Sequence, residues 1–365
     1  MTRLDRYIAR QFLVNVAVLL VLLGTLIVTI DVILNLSRFF EAGAEIAGDS
    51  SVVRRTLATI VWVVDLWGPR LLQLFNYLAG VALIAAMGFT CAQLVRRREL
   101  VAALAGGLSL HRLARPFLLV TLGVCALQAL NQELVVPRIA PLLTRDMNDA
   151  LRRDLKPFDV PLMKDGSGRL LYAVEHSASE GRLRKVRVWE RDAEGRATAR
   201  VSASGASWDG RSWVLEGMKV ESGRPSEDLA RGVLVTDLDP TALVVRRFEG
   251  YGQNLSWRQI SAMLRHAPVD DVTRARFDRI RYGRIATLAG TFLAVVIALP
   301  FYLVREPKNM AAQTLKAAPI AGAALVGSVI GPVAAMPGLP AWLGVFVPVM
   351  VLAPIALAAS VSVKT

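Results

Sequence analysis

Long apolar segments at both ends and a polar, alternating insert between them mark this chain as an α-helical membrane protein. The pattern gives six transmembrane helices, with an all-β domain inserted between spans 3 and 4. A hydrocarbon core about 30 Å thick needs roughly 20 apolar residues of helix to cross it, and runs of that length crowd the first 137 and the last 84 of the 365 residues. The stretch 138–281 is polar, and within it the hydrophobic period changes to two. Hydrophobic residues make up 54% of the chain, and its mean hydropathy is +0.44, high for a water-soluble protein.

Residues 3–11 form a short amphipathic lead-in that can lie on a membrane surface before span 1, at 12–35. The apolar run starting at Phe12 is too long for a signal-peptide core, so it is expected to stay as a span. Residues 57–95 are too long for one simple crossing; Gly68-Pro69 is expected to divide an interfacial helix (52–67) from span 2 (70–95). A short helix at about 97–107 follows, then span 3 (117–136), expected to end at Pro137. Short strand candidates lie at 169–174, 184–190, 199–203, 213–217 and 233–236, several of them separated by Gly/Asp turns. Strands this short and regular suggest a sandwich or jelly roll. Helical character returns at 255–281, and spans 4, 5 and 6 read as 285–304, 316–336 and 341–361. The expected domains are therefore 1–137, 138–281 and 282–365.

The net charge of +13 could point to nucleic acid, but its placement points to a membrane and to no nucleic-acid partner. Segments 1–12, 96–115 and 305–316 carry 11 basic residues against 3 acidic ones, all beside span ends, whereas loop 38–56 is balanced. Short cytoplasmic loops collect Lys and Arg. Both termini are thus expected inside and the β domain outside.

No catalytic or metal constellation stands out. His111, His176 and His266 are scattered, Cys91 and Cys125 both fall in spans, and no phosphate-binding Gly-x-x-x-x-Gly-Lys-Ser/Thr pattern is present. The chain is expected to be no enzyme and to need no cofactor. The segment after span 2, Arg96 to Ser109, is more specific. As a helix it sets Leu100 and Leu104 one turn apart, stops at Gly106-Gly107 and offers Ser109 as the next cap. Such a helix suits a groove in another protein; it can equally be a basic anchor with no partner.

These residues also carry a resemblance. Arg98-Glu-Leu-x-Ala-x-x-Ala-x-Gly-x-Ser109 resembles the coupling segment of the lipopolysaccharide export permeases, the LptF/LptG (YjgP/YjgQ) family. Leu4-Asp-Arg-Tyr7, Asn131-Gln-Glu-Leu-Val-Val-Pro-Arg138, Ala203-x-Gly-x-Ser-Trp208, Trp213-x-Leu215, Arg284 and Ala341-Trp-Leu343 extend it in order along nearly the whole chain. The resemblance implies an ABC-transporter half-permease in a bacterial inner membrane, with a periplasmic β-jelly-roll domain. It implies a second LptF/LptG-type permease, a cytoplasmic ABC ATPase dimer and a periplasmic jelly-roll bridge protein as partners. The cargo it implies is lipopolysaccharide or a related glycolipid, drawn from the outer leaflet. Arg98, Glu99, Leu100, Leu104 and Gly107 then become the ATPase-coupling residues.

Two departures stand out. Ala103-Leu104 replaces a usual Leu-Arg pair, and the outer half of span 1 carries one base, Arg38, where family members carry several. Asp31, Asn35 and Arg38 share a helix face at i, i+4 and i+7 and form a candidate lipid-binding stripe, or else an internal polar patch. Two other functions fit the same architecture: an ABC-type subunit that passes motion to the outer domain without moving lipid, and an envelope receptor or scaffold.

Overall fold

Helices open and close the chain, and one sheet lies between them in sequence. The computed structural model describes residues 2–47, 52–143, 158–177, 181–192, 195–240, 243, 252–266, 271–304, 310–334, 336 and 338–362. Two compact units result: one within Met1–Arg152, Asn254–Trp257 and Arg274–Thr365, the other within Arg153–Gln253 and Arg258–Thr273.

Helix α1 (Arg3–Leu34) starts at a reciprocal cap. The Thr2 hydroxyl accepts from the Asp5 N–H at 3.4 Å, and the Asp5 carboxylate accepts from the Thr2 N–H at 2.8 Å, satisfying two donors that the first turn leaves open. α1 stops at Asn35, and α2 (Leu36–Ala47) follows at once. Helix α3 (Val52–Arg96) is 45 residues long, about 67 Å at 1.5 Å per residue. The break expected at Gly68-Pro69 does not occur; the helix runs through both residues. Pro69 forfeits one backbone bond, but Trp62, Leu66 and Trp67 are buried before it and Ala79, Ala82 and Leu83 after it. Burial on both sides of the proline, at about 25 cal/mol per Å² of apolar surface, outweighs a cost of about 3 kcal/mol. Phe39 of α2 packs edge-on against Trp62 with ring centres 4.8 Å apart, in a small cluster with Leu66.

A seven-residue helix, α4 (Glu99–Ala105), leads to α5 (Leu110–Leu130), a π-helical turn (Asn131–Val135) and α6 (Val136–Leu143). Here too the chain continues through a proline expected to end it. The wider turn bonds the Val136 N–H to the Asn131 carbonyl, so Pro137 falls in the first turn of a new α register, where a missing N–H is tolerated.

The second unit is built on strands β1 (Phe158–Lys164), β2 (Leu170–Ser177), β3 (Arg182–Arg191), β4 (Ala197–Trp208), β5 (Trp213–Glu216), β6 (Lys219–Gly223) and β7 (Val233–Leu234). A one-turn helix, α7 (Glu227–Ala230), precedes β7. All seven strands lie in one antiparallel sheet, in the order β1-β2-β3-β4-β5-β7, with β6 also on β4. The second sheet that a jelly roll implies is not among the described residues. β1 and β6 carry too little strict alternation to be read from the sequence; all five residues of β6 are exposed.

Three hairpin turns begin on aspartates. The carboxylates of Asp165, Asp192 and Asp209 each accept backbone N–H groups two to four residues on, at 2.7–3.0 Å. The N–H groups of Arg211 and then Ser212 hold the Asp209 carboxyl below its ordinary range. The core beneath the sheet gathers Val160, Leu171, Ala173, Leu183, Val186, Val188, Val201, Trp213 and Leu238, and the Trp213 indole donates to the Leu238 carbonyl at 2.7 Å. A crease crosses the sheet where Lys185, at φ 50°, stands in register with Ser204 and Gly217, the latter at φ 62°. Leu183 and Val186 are both buried across that left-handed residue, so it keeps one continuous apolar face while the strand bends.

Helices α8 (Trp257–His266), α9 (Asp271–Tyr302), α10 (Met310–Val333), α11 (Ala341–Gly344) and α12 (Val347–Ser362) complete the chain. Among the described residues six helical segments are long and apolar enough to cross a membrane: Arg3–Leu34, Val52–Arg96, Leu110–Ala140, Asp271–Tyr302, Ala312–Val333 and Ala341–Val361. Their shared core packs Phe12 against Phe117, rings tilted with centres 5.0 Å apart, and includes Leu83, Met87, Ala294, Ala298 and Tyr302. Small residues allow close approach of helices. A Cβ on Gly290 would stand 2.2 Å from that of Ser328, so only glycine fits where α9 meets α10.

Candidate functional site

Among the described helical residues, three polar centres carry positions that the sequence marks. The first is the turn between α3 and α5. α3 ends as Arg98 takes a left-handed conformation, φ 59°, which costs a non-glycine residue about 1–2 kcal/mol. α4 then runs to Gly106, Gly107 turns at φ 78°, and the Ser109 hydroxyl caps α5 by accepting from the Arg112 N–H at 3.3 Å. The stop and the cap stand where the sequence puts them. The apolar face does not point outward. Leu100 is only 2% exposed and belongs to the bundle core, with Ala103 and Leu104 packed beside it. The surface that α4 and the turn after it offer is therefore Val101, Ala102, Ala105, Gly106 and Gly107, all exposed. Glu99 is tied to the lead-in helix: the Tyr7 hydroxyl donates to its Oε1 at 3.1 Å, and Arg97 approaches the same oxygen at 4.0 Å. The other oxygen, Oε2, is buried with no hydrogen-bond partner among the described residues.

The second centre lies at the end of α1. Asn35 leaves helical geometry, so the expected stripe spans a helix junction rather than one continuous face. The Asn35 amide donates to the Asp31 carboxylate at 3.0 Å and to its backbone carbonyl at 3.1 Å. The other Asp31 oxygen accepts from the Trp67 indole at 3.1 Å, and Arg70 lies 5.7 Å from that ring's centre. Asp31 and Asn35 are thus brought together. Arg38 stands apart on α2, exposed, with no carboxylate partner among the described residues.

The third centre gathers residues that matched the family pattern but were assigned no role. The π turn carries Asn131, Gln132 and Glu133. The Asn131 amide donates to the Leu72 carbonyl at 2.7 Å and to Asn76 at 3.1 Å; Asn76 donates to Gln132 at 2.6 Å. The Glu133 carboxylate accepts from Arg284 at 2.8 Å and from the Trp257 backbone N–H at 2.9 Å. Arg284 also donates to the Leu255 carbonyl. Arg281 lies beside the edge-on Trp257 and Tyr282 rings, 4.9 and 4.7 Å from their centres, and the Gln73 amide donates to Asn254 at 2.9 Å. Segment 254–257 is therefore held on α3, the π turn and α9 by part-buried polar bonds, which are stronger than the same bonds in open water. One signal for this centre was legible: acid and base inside apolar helical stretches are costly unless paired.

A protein-family model described as "Lipopolysaccharide export system permease LptF/LptG" matches residues 6–361. A search of curated proteins finds no match.

Proposed function

Because the chain belongs to the LptF/LptG family of lipopolysaccharide export permeases, we propose that it is one membrane half of an ABC-type exporter. In this reading it sits in the bacterial inner membrane with both termini cytoplasmic and its β unit, jelly-roll-like, in the periplasm. It pairs with a second permease of the same kind and takes lipopolysaccharide or a related glycolipid from the outer leaflet. Its β unit passes the cargo to a periplasmic bridge protein, and a separate ATPase dimer supplies the energy.

The observation that carries this reading is the family match across both helical ends and the sheet between them. The turn at 97–107 supports the coupling role in a specific way. Leu100 and Leu104 fasten α4 to the bundle and Glu99 fastens it to α1, so force applied to the exposed Val101–Ala105 surface reaches two helices at once. Gly107 and Ser109 set the angle at which that surface is presented. Asp31 and Asn35 hold α1 to Trp67, and Arg38, with no carboxylate partner among the described residues, is available to an anionic headgroup.

The test is co-purification from native membranes, with identification of bound subunits and lipid. An ATPase and a second permease accompanying the chain, together with lipid crosslinked inside the bundle, are the expected result. Purification with an ATPase but without lipid crosslinks would shift the assignment to a subunit that transmits motion only.

A further inference from the structure

The outward face of the sheet carries an ordered row of side chains. Tyr172 of β2 stands opposite Arg187 of β3, Arg187 opposite Ser202 of β4, and Ser202 opposite Lys219 of β6. Leu171, Ala173, Val186, Val188, Val201 and Ala203, the chain neighbours of Tyr172, Arg187 and Ser202, are buried, so alternation turns those three away from the core; Lys219 extends the row on β6, whose residues are all exposed. Four strands at about 4.8 Å spacing make the row about 14 Å long. In the adjacent row Trp189 stands opposite Arg200, whose guanidinium lies 5.5 Å from the indole centre.

Two other arginines of these strands are paired. Arg184 pairs with Glu175 at 3.0 Å, and Arg200 with Glu221 at 2.6 Å. Arg187 and Lys219 are exposed and have no carboxylate partner among the described residues. Two cations about 10 Å apart, two strand spacings, thus flank a serine hydroxyl, with a tyrosine ring at the end of the row. A guanidinium takes a phosphate or carboxylate by paired hydrogen bonds, an ammonium takes one as a point charge, and a hydroxyl can both donate and accept. An aromatic ring offers a flat apolar face to the C–H face of a sugar. A row of this length suits an extended ligand better than a compact one.

We propose that this face, through Tyr172, Arg187, Ser202 and Lys219, binds the anionic saccharide portion of the glycolipid cargo. The proposal rests on the permease reading for the identity of the cargo. It gives the sheet two jobs on opposite sides: an apolar core beneath, and a recognition surface for phosphorylated or carboxylated sugars above.

The experiment uses the full chain in lipid nanodiscs, with fluorescently labelled, deacylated lipopolysaccharide oligosaccharide as the probe and a neutral dextran oligosaccharide as control. Wild-type protein should bind the anionic probe, more weakly as salt rises, and should not bind dextran. The double variant Arg187→Gln with Lys219→Gln should bind about tenfold more weakly, about 1.4 kcal/mol. Arg187→Lys should lose less, and Arg231→Gln, paired with Glu227 on α7, should lose nothing. Both neutralised cations lie on the surface, so an unchanged thermal midpoint separates lost binding from lost folding. Equal probe binding by wild type and double variant overturns the proposal. So does binding to phosphatidylglycerol vesicles without binding to the oligosaccharide. Lipid crosslinking inside the bundle is measured on the same samples: its absence counts against the permease reading, whereas its presence without saccharide binding sinks only this inference.

Discussion

Removing Glu133 should loosen the segment that joins the sheet back to the helices. In Glu133→Ala, Arg284, whose side chain is 13% exposed, loses the Glu133 carboxylate, and the Trp257 N–H loses its acceptor. Deleting one partner of a buried ion pair costs about 3–5 kcal/mol. The Glu133 side chain is 35% exposed, so water can reach the vacated site and the figure falls to about 2–3 kcal/mol. Glu133→Gln should cost less, about 1–2 kcal/mol, because its amide oxygen can still accept from the Trp257 N–H. The assay is thermal unfolding in detergent, paired with hydrogen exchange resolved at residues 252–257. Both single variants at Glu133 should speed exchange at Trp257 before the helices lose protection. A double-mutant cycle with Arg284→Gln then isolates the pair. If Glu133→Gln and Arg284→Gln add to within about 0.5 kcal/mol, the two side chains are not coupled and the latch does not exist.

Leu100→Ala should lower the thermal midpoint by the equivalent of about 2–4 kcal/mol, because the side chain fills the bundle core; an unchanged midpoint would return Leu100 to the surface. Glu99→Lys should leave insertion intact but reduce ATPase co-purification and turnover in liposomes, since the Tyr7 bond is lost and a cation is added. Arg98→Gly should stabilise the turn by about 1 kcal/mol by relieving the left-handed backbone, measured as a midpoint shift. Arg38→Glu should impair glycolipid crosslinking at unchanged stability, whereas Trp67→Phe should cost about 1 kcal/mol by stripping Asp31 of a donor. Asp209 titrates below its ordinary range, so its contribution to the β4–β5 turn is full above the unfolded value and is lost as pH falls through the depressed one; amide exchange at Arg211 and Ser212 should rise only in that acid window, and not at all in Asp209→Ala.

What the sequence disclosed and what it hid divide along physical lines. Span existence follows from length and hydropathy alone, and the Gly107 stop, the Ser109 cap and the Asp-led turns are local chemistry, so each was legible residue by residue. Gly68-Pro69 and Pro137 misled because proline's local rule loses to burial on both sides of α3 in one case and to a π register in the other, and neither is written in the neighbouring residues. Leu100 misled for a related reason: an apolar helix face says that something will cover it, not whether the cover is a partner or the chain's own core. The third centre shows the limit most clearly. Glu133 and Arg284 are 151 residues apart, and a glutamate near a span end reads as an interfacial charge. Yet an unpaired charge in that setting is too costly to leave standing, so each residue by itself demanded a partner of opposite sign. The sequence posed that demand at both positions; only the fold, by turning Glu133 inward on a π turn, shows that they answer each other.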